Sequence, residues 1–134
     1  MAGRLKDNKG FTLLELMIVI AIIGILATLA QPQFKTAVLK AKEASLRENL
    51  FNIRNCIDQY YGDNGKYPSA LGDLVEKGYM RAIPKDPFTG EADWKVEYYS
   101  GSSDSGDSSD NGGINDVKSA GPGTGLNGKP YAEW

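Results

Sequence analysis

The chain opens with a short polar stretch that gives way to an almost uninterrupted apolar run. Residues 11–30 contain only three side chains with strongly polar groups, those of Thr12, Glu15 and Thr28. A helix of this length is about 30 Å long, which matches the hydrocarbon core of a bilayer. The pattern therefore predicts one membrane-spanning helix over residues 11–30, preceded by a basic leader over residues 1–10.

The apolar pattern changes character after the run and becomes amphipathic over residues 31–61. Apolar residues recur at alternating spacings of four and three, at Leu46, Leu50, Ile53, Ile57 and Tyr60. The same stripe begins upstream at Phe34, Val38 and Ala41. This spacing predicts a stalk helix whose apolar face packs on the chain's own sheet, with Gly62 as its stop. Glu43 and Arg47 are placed to form an ion pair along it.

Two residues weaken the helix near the end of the apolar run. Pro32 has no N–H to donate to the carbonyl of Thr28, and its ring crowds the same turn, so we expect a kink or a local break there. Gly24 lies eight residues earlier and lowers the helix propensity further.

Residues 62–134 are predicted to form a small head domain. Ser69 can cap a short helix that ends at Gly78. Residues 94–99 and 113–118 have strand patterns, and together they predict an antiparallel pair. The predicted fold class is therefore α+β, with a long N-terminal helix packed on a small antiparallel sheet.

A connector over residues 81–90 separates the short helix from the strands. Pro84 and Pro87 exclude both a helix and a central strand there. We expect this connector to determine shape rather than chemistry.

Composition excludes several classes of site. The chain of 134 residues has a net charge of −2, which argues against a nucleic-acid partner. It has no histidine, which excludes Ser–His and Cys–His nucleophile pairs and the usual zinc sites. Cys56 is the only cysteine, so no intrachain disulfide can form, and it is predicted to be a small buried side chain.

An acidic segment lies between the two predicted strands. Residues 97–116 contain five acids and no base, which favours a bound counter-ion over a plain flexible loop. Residues 107–112 resemble the start of a calcium loop, with oxygen-bearing side chains followed by glycine. The twelfth position is Lys118 instead of glutamate, which argues against an EF-hand.

Glu15 is the residue that ordinary membrane segments do not explain. A secretory signal peptide, cleaved near residues 28–30, and a permanent single-pass anchor both fit the apolar run. Neither accounts for a carboxylate that costs about 2.5–3.5 kcal/mol at mid-membrane and less near the interface. An ionisable group in such a run indicates a function that requires a partner.

The stretch KGFTLLE, residues 9–15, resembles the leader junction of type IV pilins and pseudopilins. The resemblance implies that a prepilin peptidase cuts between Gly10 and Phe11 and methylates the new N-terminus of Phe11. It also implies that Glu15 pairs with the Phe11 amine of a neighbouring subunit. Gly24 and Pro32 would then bracket a segment that unwinds in the filament.

Two stretches of the head, YYGDNGKYP (60–68) and LVEKGYMRAIPKDPFTG (74–90), resemble G-type pseudopilins of type II secretion. This implies a structural subunit and not an enzyme, anchored in the bacterial inner membrane with its N-terminus inside and its head in the periplasm. The implied partners are copies of itself, minor pseudopilins, the prepilin peptidase and an inner-membrane assembly platform.

The same resemblance implies a calcium ion in the head. The best-matching ligands are Asp110 and Asp116, with Asp107 as a further candidate. The alternative functions are a type IV pilin of a surface filament and a calcium-binding surface domain on an uncleaved anchor.

Overall fold

The structure is a computed structural model and describes residues 3, 9–100 and 112–134. Its helices and strands are α1 (Leu13–Asn64), α2 (Leu71–Glu76), β1 (Lys95–Tyr98), β2 (Ile114–Lys118) and a 3-10 helix (Tyr131–Glu133). The chain divides into two compact units, Met1–Val38 and Leu39–Trp134.

In the first unit, the described residues are dominated by the apolar start of α1. Thr12 caps the helix, because its hydroxyl oxygen accepts the N–H of Glu15 at 3.2 Å. An 18-residue window of α1 has a mean hydropathy of 2.7, and none of it is buried within the chain. α1 is therefore long and apolar enough to cross a membrane, as the sequence predicts.

Pro32 does not interrupt α1. The helix continues through it, so the local break is not found. On either side, the Thr28 hydroxyl donates to the Gly24 carbonyl at 2.8 Å, and the Thr36 hydroxyl donates to the Pro32 carbonyl at 3.2 Å. These bonds give two carbonyls around the proline an additional partner within the helix.

The core of the second unit forms around the apolar stripe of α1. All five residues of the predicted 4-3-4-3 pattern are buried, and they pack with Leu74, Trp94, Ile114, Val117 and Tyr131. The upstream extension of the stripe is wrong: Phe34 is 70% exposed and Val38 is 41% exposed. Ala41, the last residue of that extension, is exposed as well.

The end of α1 differs from the prediction by one short turn. The helix passes through Gly62 and ends at Asn64. Gly65 has a φ of 69° and donates its N–H to the Tyr61 carbonyl at 2.8 Å. Gly65 and not Gly62 is therefore the stop, because it is the residue that adopts the left-handed conformation of a helix C-terminus.

The cap of α2 also differs. The N-cap is Ala70 and not Ser69. The carboxylate of Asp73, in the first turn, reaches back and accepts the N–H groups of Ser69 and Ala70 and the hydroxyl of Ser69. Backbone donors before the helix are therefore satisfied by a side chain within it, and not the reverse as predicted. These bonds hold the pKa of Asp73 below its usual range, the Ser69 hydroxyl having the largest effect. The helix ends before Gly78, which has a φ of 81°, so its predicted end is confirmed.

The two predicted strands form the predicted antiparallel pair. Glu97 lies opposite Asp116 and Tyr98 lies opposite Ile114, so Asn115 bulges out of the ladder. The sheet and α1 contribute residues to one core. The α+β fold class is confirmed.

Candidate functional site

The predicted cleavage junction lies in accessible, non-helical backbone. Gly10 and Phe11 are exposed, with Phe11 at 89%, and α1 begins two residues later at Leu13. A Cβ on Gly10 would meet nothing within 4 Å. The peptide bond between Gly10 and Phe11 is therefore exposed and lies outside secondary structure.

Glu15 lies in the first turn of α1, three residues after the Thr12 cap. A carboxylate at this position is stabilised by the positive end of the helix dipole. Glu15 is exposed, and the ion pairs among the described residues, Arg54–Asp116 and Lys118–Glu97, do not include it. Among the described residues, therefore, no cation is paired with its carboxylate.

The two residues predicted to permit unwinding are both inside α1. Gly24 and Pro32 are exposed, and a Cβ on Gly24 would meet nothing within 4 Å. The helix is intact at both residues in the isolated chain.

The structure describes one of the three predicted calcium ligands, Asp116. Asp107 and Asp110 lie outside the described residues. Oδ1 of Asp116 accepts Nε of Arg54 at 2.6 Å and the N–H of Val117 at 2.7 Å. Within residues 3, 9–100 and 112–134, no three acidic, cysteine or histidine side chains are grouped to hold a metal. Oδ1 of Asp116 thus already accepts a hydrogen bond from a guanidinium, and the calcium site stays a prediction.

The KDPFTG stretch of the connector contains a buried aspartate that the sequence pattern does not single out. Asp86 is completely buried; Oδ2 accepts the hydroxyl of Ser119, and Oδ1 accepts the N–H of Phe88 at 2.8 Å. The Ser119 oxygen in turn accepts the N–H of Gly121 at 3.0 Å. The position of Asp86 directly before Pro87 was the available signal, because aspartates at such turns commonly accept backbone N–H groups. The connector is thus fixed by buried hydrogen bonds.

Glu43 is a second buried carboxylate that the sequence analysis assigned to the wrong partner. It does not pair with Arg47. Its Oε1 accepts the N–H of Leu126 at 2.8 Å and the hydroxyl of Tyr131 at 3.0 Å. Burial and the nearby Glu43 raise the pKa of Tyr131. Arg47 instead lies over the ring of Trp134, 4.7 Å from its centroid.

Cys56 is half-buried, as a structural cysteine would be. Its thiol donates to the Tyr79 carbonyl at 3.3 Å, and burial raises the pKa of the thiol. A thiol in this state has little thiolate character, so it is poorly suited to be a nucleophile or a metal ligand.

A known family model matches the N-terminal part of the chain. The Prokaryotic N-terminal methylation motif matches residues 5–30, which include Gly10, Phe11, Glu15 and Gly24. Among solved structures, none matches the chain.

Curated relatives match well beyond this motif, and the relatives described here carry the name Type II secretion system core protein G. The protein from Dickeya chrysanthemi is 34% identical, with 69% of this chain and 67% of the relative covered. The protein from Aeromonas hydrophila is 36% identical, with 62% and 69% covered. The protein from Escherichia coli K12 is 35% identical, with 60% and 67% covered. The chain belongs to the family of the type II secretion system core protein G.

Proposed function

We propose that this chain is a structural pseudopilin and not an enzyme: a subunit that is cut between Gly10 and Phe11, methylated at Phe11 and polymerised into a filament for type II secretion. The observation that carries this proposal is the exposed junction at Gly10 and Phe11, two residues before a capped, apolar helix. The family name of the relatives supplies the secretion system.

Assembly follows from the charges that processing creates. Cleavage leaves an α-ammonium group at Phe11, beside the positive end of the α1 dipole, where a cation is unfavourable. A carboxylate and an ammonium are each costly when unpaired in a low-dielectric environment. Glu15 of one subunit offers the Phe11 amine of its neighbour a partner. A pair of this kind would also define the register between helices, as single buried polar groups do in other helix assemblies.

The proposed location is the bacterial inner membrane, with the N-terminus inside and the head in the periplasm. Arg4, Lys6 and Lys9 precede the span, and positive residues favour the cytoplasmic side. Three lysines also follow the span, at residues 35, 40 and 42, so the charge bias across it is small. Trypsin added to spheroplasts tests the orientation: digestion of the head supports it, and a protected head contradicts it.

Within the filament, we expect the segment from Gly24 to Pro32 to lose helical hydrogen bonds. Glycine is a weak helix former, and Pro32 already lacks one of the bonds. The expected partners are further copies of the chain, minor pseudopilins, the prepilin peptidase and an inner-membrane platform.

Calcium in the head remains a proposal that depends on the acidic segment. Since Asp116 binds Arg54, Asp107 and Asp110 would have to supply the ligands, together with main-chain carbonyls. Calorimetric titration of the protein with calcium chloride tests this. Saturable binding that Asp110→Asn weakens supports the site, and no binding to the unaltered chain removes it.

The experiment that tests the main proposal is mass spectrometry of the mature protein from its native membrane. The expected N-terminus is Phe11 carrying one methyl group. An intact leader or a start at Gln31 would contradict the proposal. Gly10 replaced by a bulky residue, as in Gly10→Leu, should leave the leader attached, whereas Gly3→Leu within the leader should not.

The two alternative functions are less well supported. A type IV pilin shares the junction, but the family to which the chain belongs is that of core protein G. A surface domain on an uncleaved anchor would not need a methylation motif over residues 5–30. Detection of the unprocessed chain at the cell surface would favour that second alternative.

A further inference from the structure

The last sixteen residues of the head, 119–134, form a segment that we name the strap. A row of side chains on α1 contacts it: Glu43, Arg47 and Arg54. Their spacings of four and seven residues place all three on one side of α1. The strap also contributes Tyr131 to the hydrophobic core, so displacement of the strap would expose that core to water.

Arg54 makes the most hydrogen bonds of the three residues in this row, and its partners lie in two other parts of the chain. Its Nε donates to Oδ1 of Asp116 at 2.6 Å. Its second guanidinium nitrogen donates to the main-chain oxygens of Val117, at 2.9 Å, and Trp134, at 2.8 Å. A planar guanidinium can bind such a set of oxygens, whereas a lysine ammonium lacks the fork geometry. Arg54 therefore links α1, β2 and the end of the strap.

Glu43 and Arg47 contact the strap at its middle and at the ring of Trp134. Glu43 accepts the N–H of Leu126 and the hydroxyl of Tyr131, and it is only 5% exposed. Arg47 stacks over Trp134, and the Tyr131 and Trp134 rings meet edge to face with centroids 5.2 Å apart. Glu43 thus holds Leu126 and Tyr131, whereas Arg47 and Arg54 hold the ring and the main-chain oxygen of Trp134.

We propose that this row, and Arg54 above all, fastens the strap without a metal ion. Asp116 is the acid of the predicted calcium set that the structure describes, and its Oδ1 already binds a guanidinium at hydrogen-bond distance. A divalent cation at the same oxygen would be repelled by Arg54 and would have to displace it. The strap should therefore stay closed whether or not the acidic segment binds calcium.

Hydrogen exchange with mass spectrometry on the full mature chain in detergent tests this. The variants are Arg54→Met, Arg54→Lys and Asp116→Asn, and the matched control is Arg81→Met, at an exposed arginine of the connector. Each is measured in calcium chloride and in EGTA. Peptides from the strap report its opening, and peptides from α2 report unfolding of the whole head.

We expect Arg54→Met to speed exchange in the strap by about tenfold or more, because charged hydrogen bonds are lost, with α2 unchanged. Arg54→Lys and Asp116→Asn should show smaller increases, Arg81→Met should show none, and EGTA should not alter the strap of the unaltered chain.

Three results would overturn the proposal: EGTA opens the strap of the unaltered chain, Arg54→Met behaves like Arg81→Met, or α2 exchanges as fast as the strap in all three variants. If Arg54→Met alone unfolds the head, Asp116→Asn and Arg54→Lys decide: strap-specific acceleration supports the proposal, and exchange equal to the unaltered chain overturns it.

Discussion

Asp86 and Ser119 are hydrogen-bonded to each other across 33 positions of the chain, and both residues are completely buried. The bond joins the proline-containing connector to the first residue after β2. Phe88 and Gly121 complete the arrangement through their N–H groups. Gly121 must also be small, since a Cβ there would lie 2.8 Å from the Cβ of Phe88. A buried carboxylate is tolerated here because hydrogen-bond donors reach both of its oxygens.

Removing the donor from this bond should destabilise the head. Ser119→Ala leaves an oxygen of Asp86 buried without its donor, which costs about 1–3 kcal/mol of unfolding free energy. The measurement is chemical unfolding of the detergent-solubilised chain followed by tryptophan fluorescence. Ser45→Ala on the exposed face of α1 is the control and should change the free energy by less than about 0.5 kcal/mol. Equal effects of the two variants would contradict the role of Asp86.

The two glycines at the end of α1 should respond in opposite directions to alanine. Gly62 is inside the helix, so Gly62→Ala should stabilise the chain by about 0.8–1 kcal/mol. Gly65 has a φ of 69°, so Gly65→Ala should destabilise it by about 1–2 kcal/mol. Neither new Cβ would meet an atom within 4 Å, so backbone conformation alone decides the sign. Thermal unfolding of both variants checks this, and a stabilising Gly65→Ala would place the helix stop at Gly62 after all.

Stability should fall at alkaline pH in a way that depends on Tyr131. Burial first, and then the hydrogen bond to Glu43, raises its pKa above the usual value of 10.0. The folded state therefore holds the phenol proton more tightly than the unfolded state, so this stabilisation is complete below pH 10 and is lost as the pH rises above that value. The pKa values of Tyr79, through Asp63, and Lys118, through Glu97, are raised too and act in the same direction.

The measurement is the unfolding free energy between about pH 8 and pH 11. Tyr131→Phe should show a shallower alkaline loss than the unaltered chain. Tyr98→Phe, at a tyrosine that is 59% exposed, is the control and should keep the original slope. Identical slopes for Tyr131→Phe and the unaltered chain would exclude Tyr131 as a source of the pH dependence.

Glu15 should be needed for assembly and not for insertion. Glu15→Gln removes the charge but keeps the backbone N–H that Thr12 caps, so α1 should insert normally. Without the carboxylate, the amine of a neighbouring Phe11 has no partner, and filament yield should fall by about tenfold or more. Membrane fractionation and filament counting by electron microscopy give the two readings. Glu48→Gln, on the exposed stalk, should leave both unchanged, and normal filaments from Glu15→Gln would refute the pairing.

The elements that depend on local pattern were predictable from the sequence. The apolar run, the 4-3-4-3 stripe from Leu46 to Tyr60, the short helix before Gly78 and the two strands are all present. The family also followed from sequence, since a leader charge, a Gly–Phe pair and a glutamate at fixed offsets are linear information, and the cut between Gly10 and Phe11 stays a prediction. Three local predictions were wrong. The helix stop is Gly65 and not Gly62, and the N-cap is Ala70 and not Ser69. The apolar stripe upstream of Leu46 is exposed, because the core does not extend that far.

The sequence by itself determined the buried stripe from Leu46 to Tyr60, the position of the leader motif and the family of the chain, because each depends on the order and spacing of side chains. Only the tertiary structure decided the partners of the charged groups. Asp116 binds Arg54, Glu43 binds Tyr131 and Asp86 binds Ser119, across separations of 62, 88 and 33 positions. Burial makes such pairings obligatory, since a polar group removed from water must find a partner, but which partner it finds depends on the path of the folded chain.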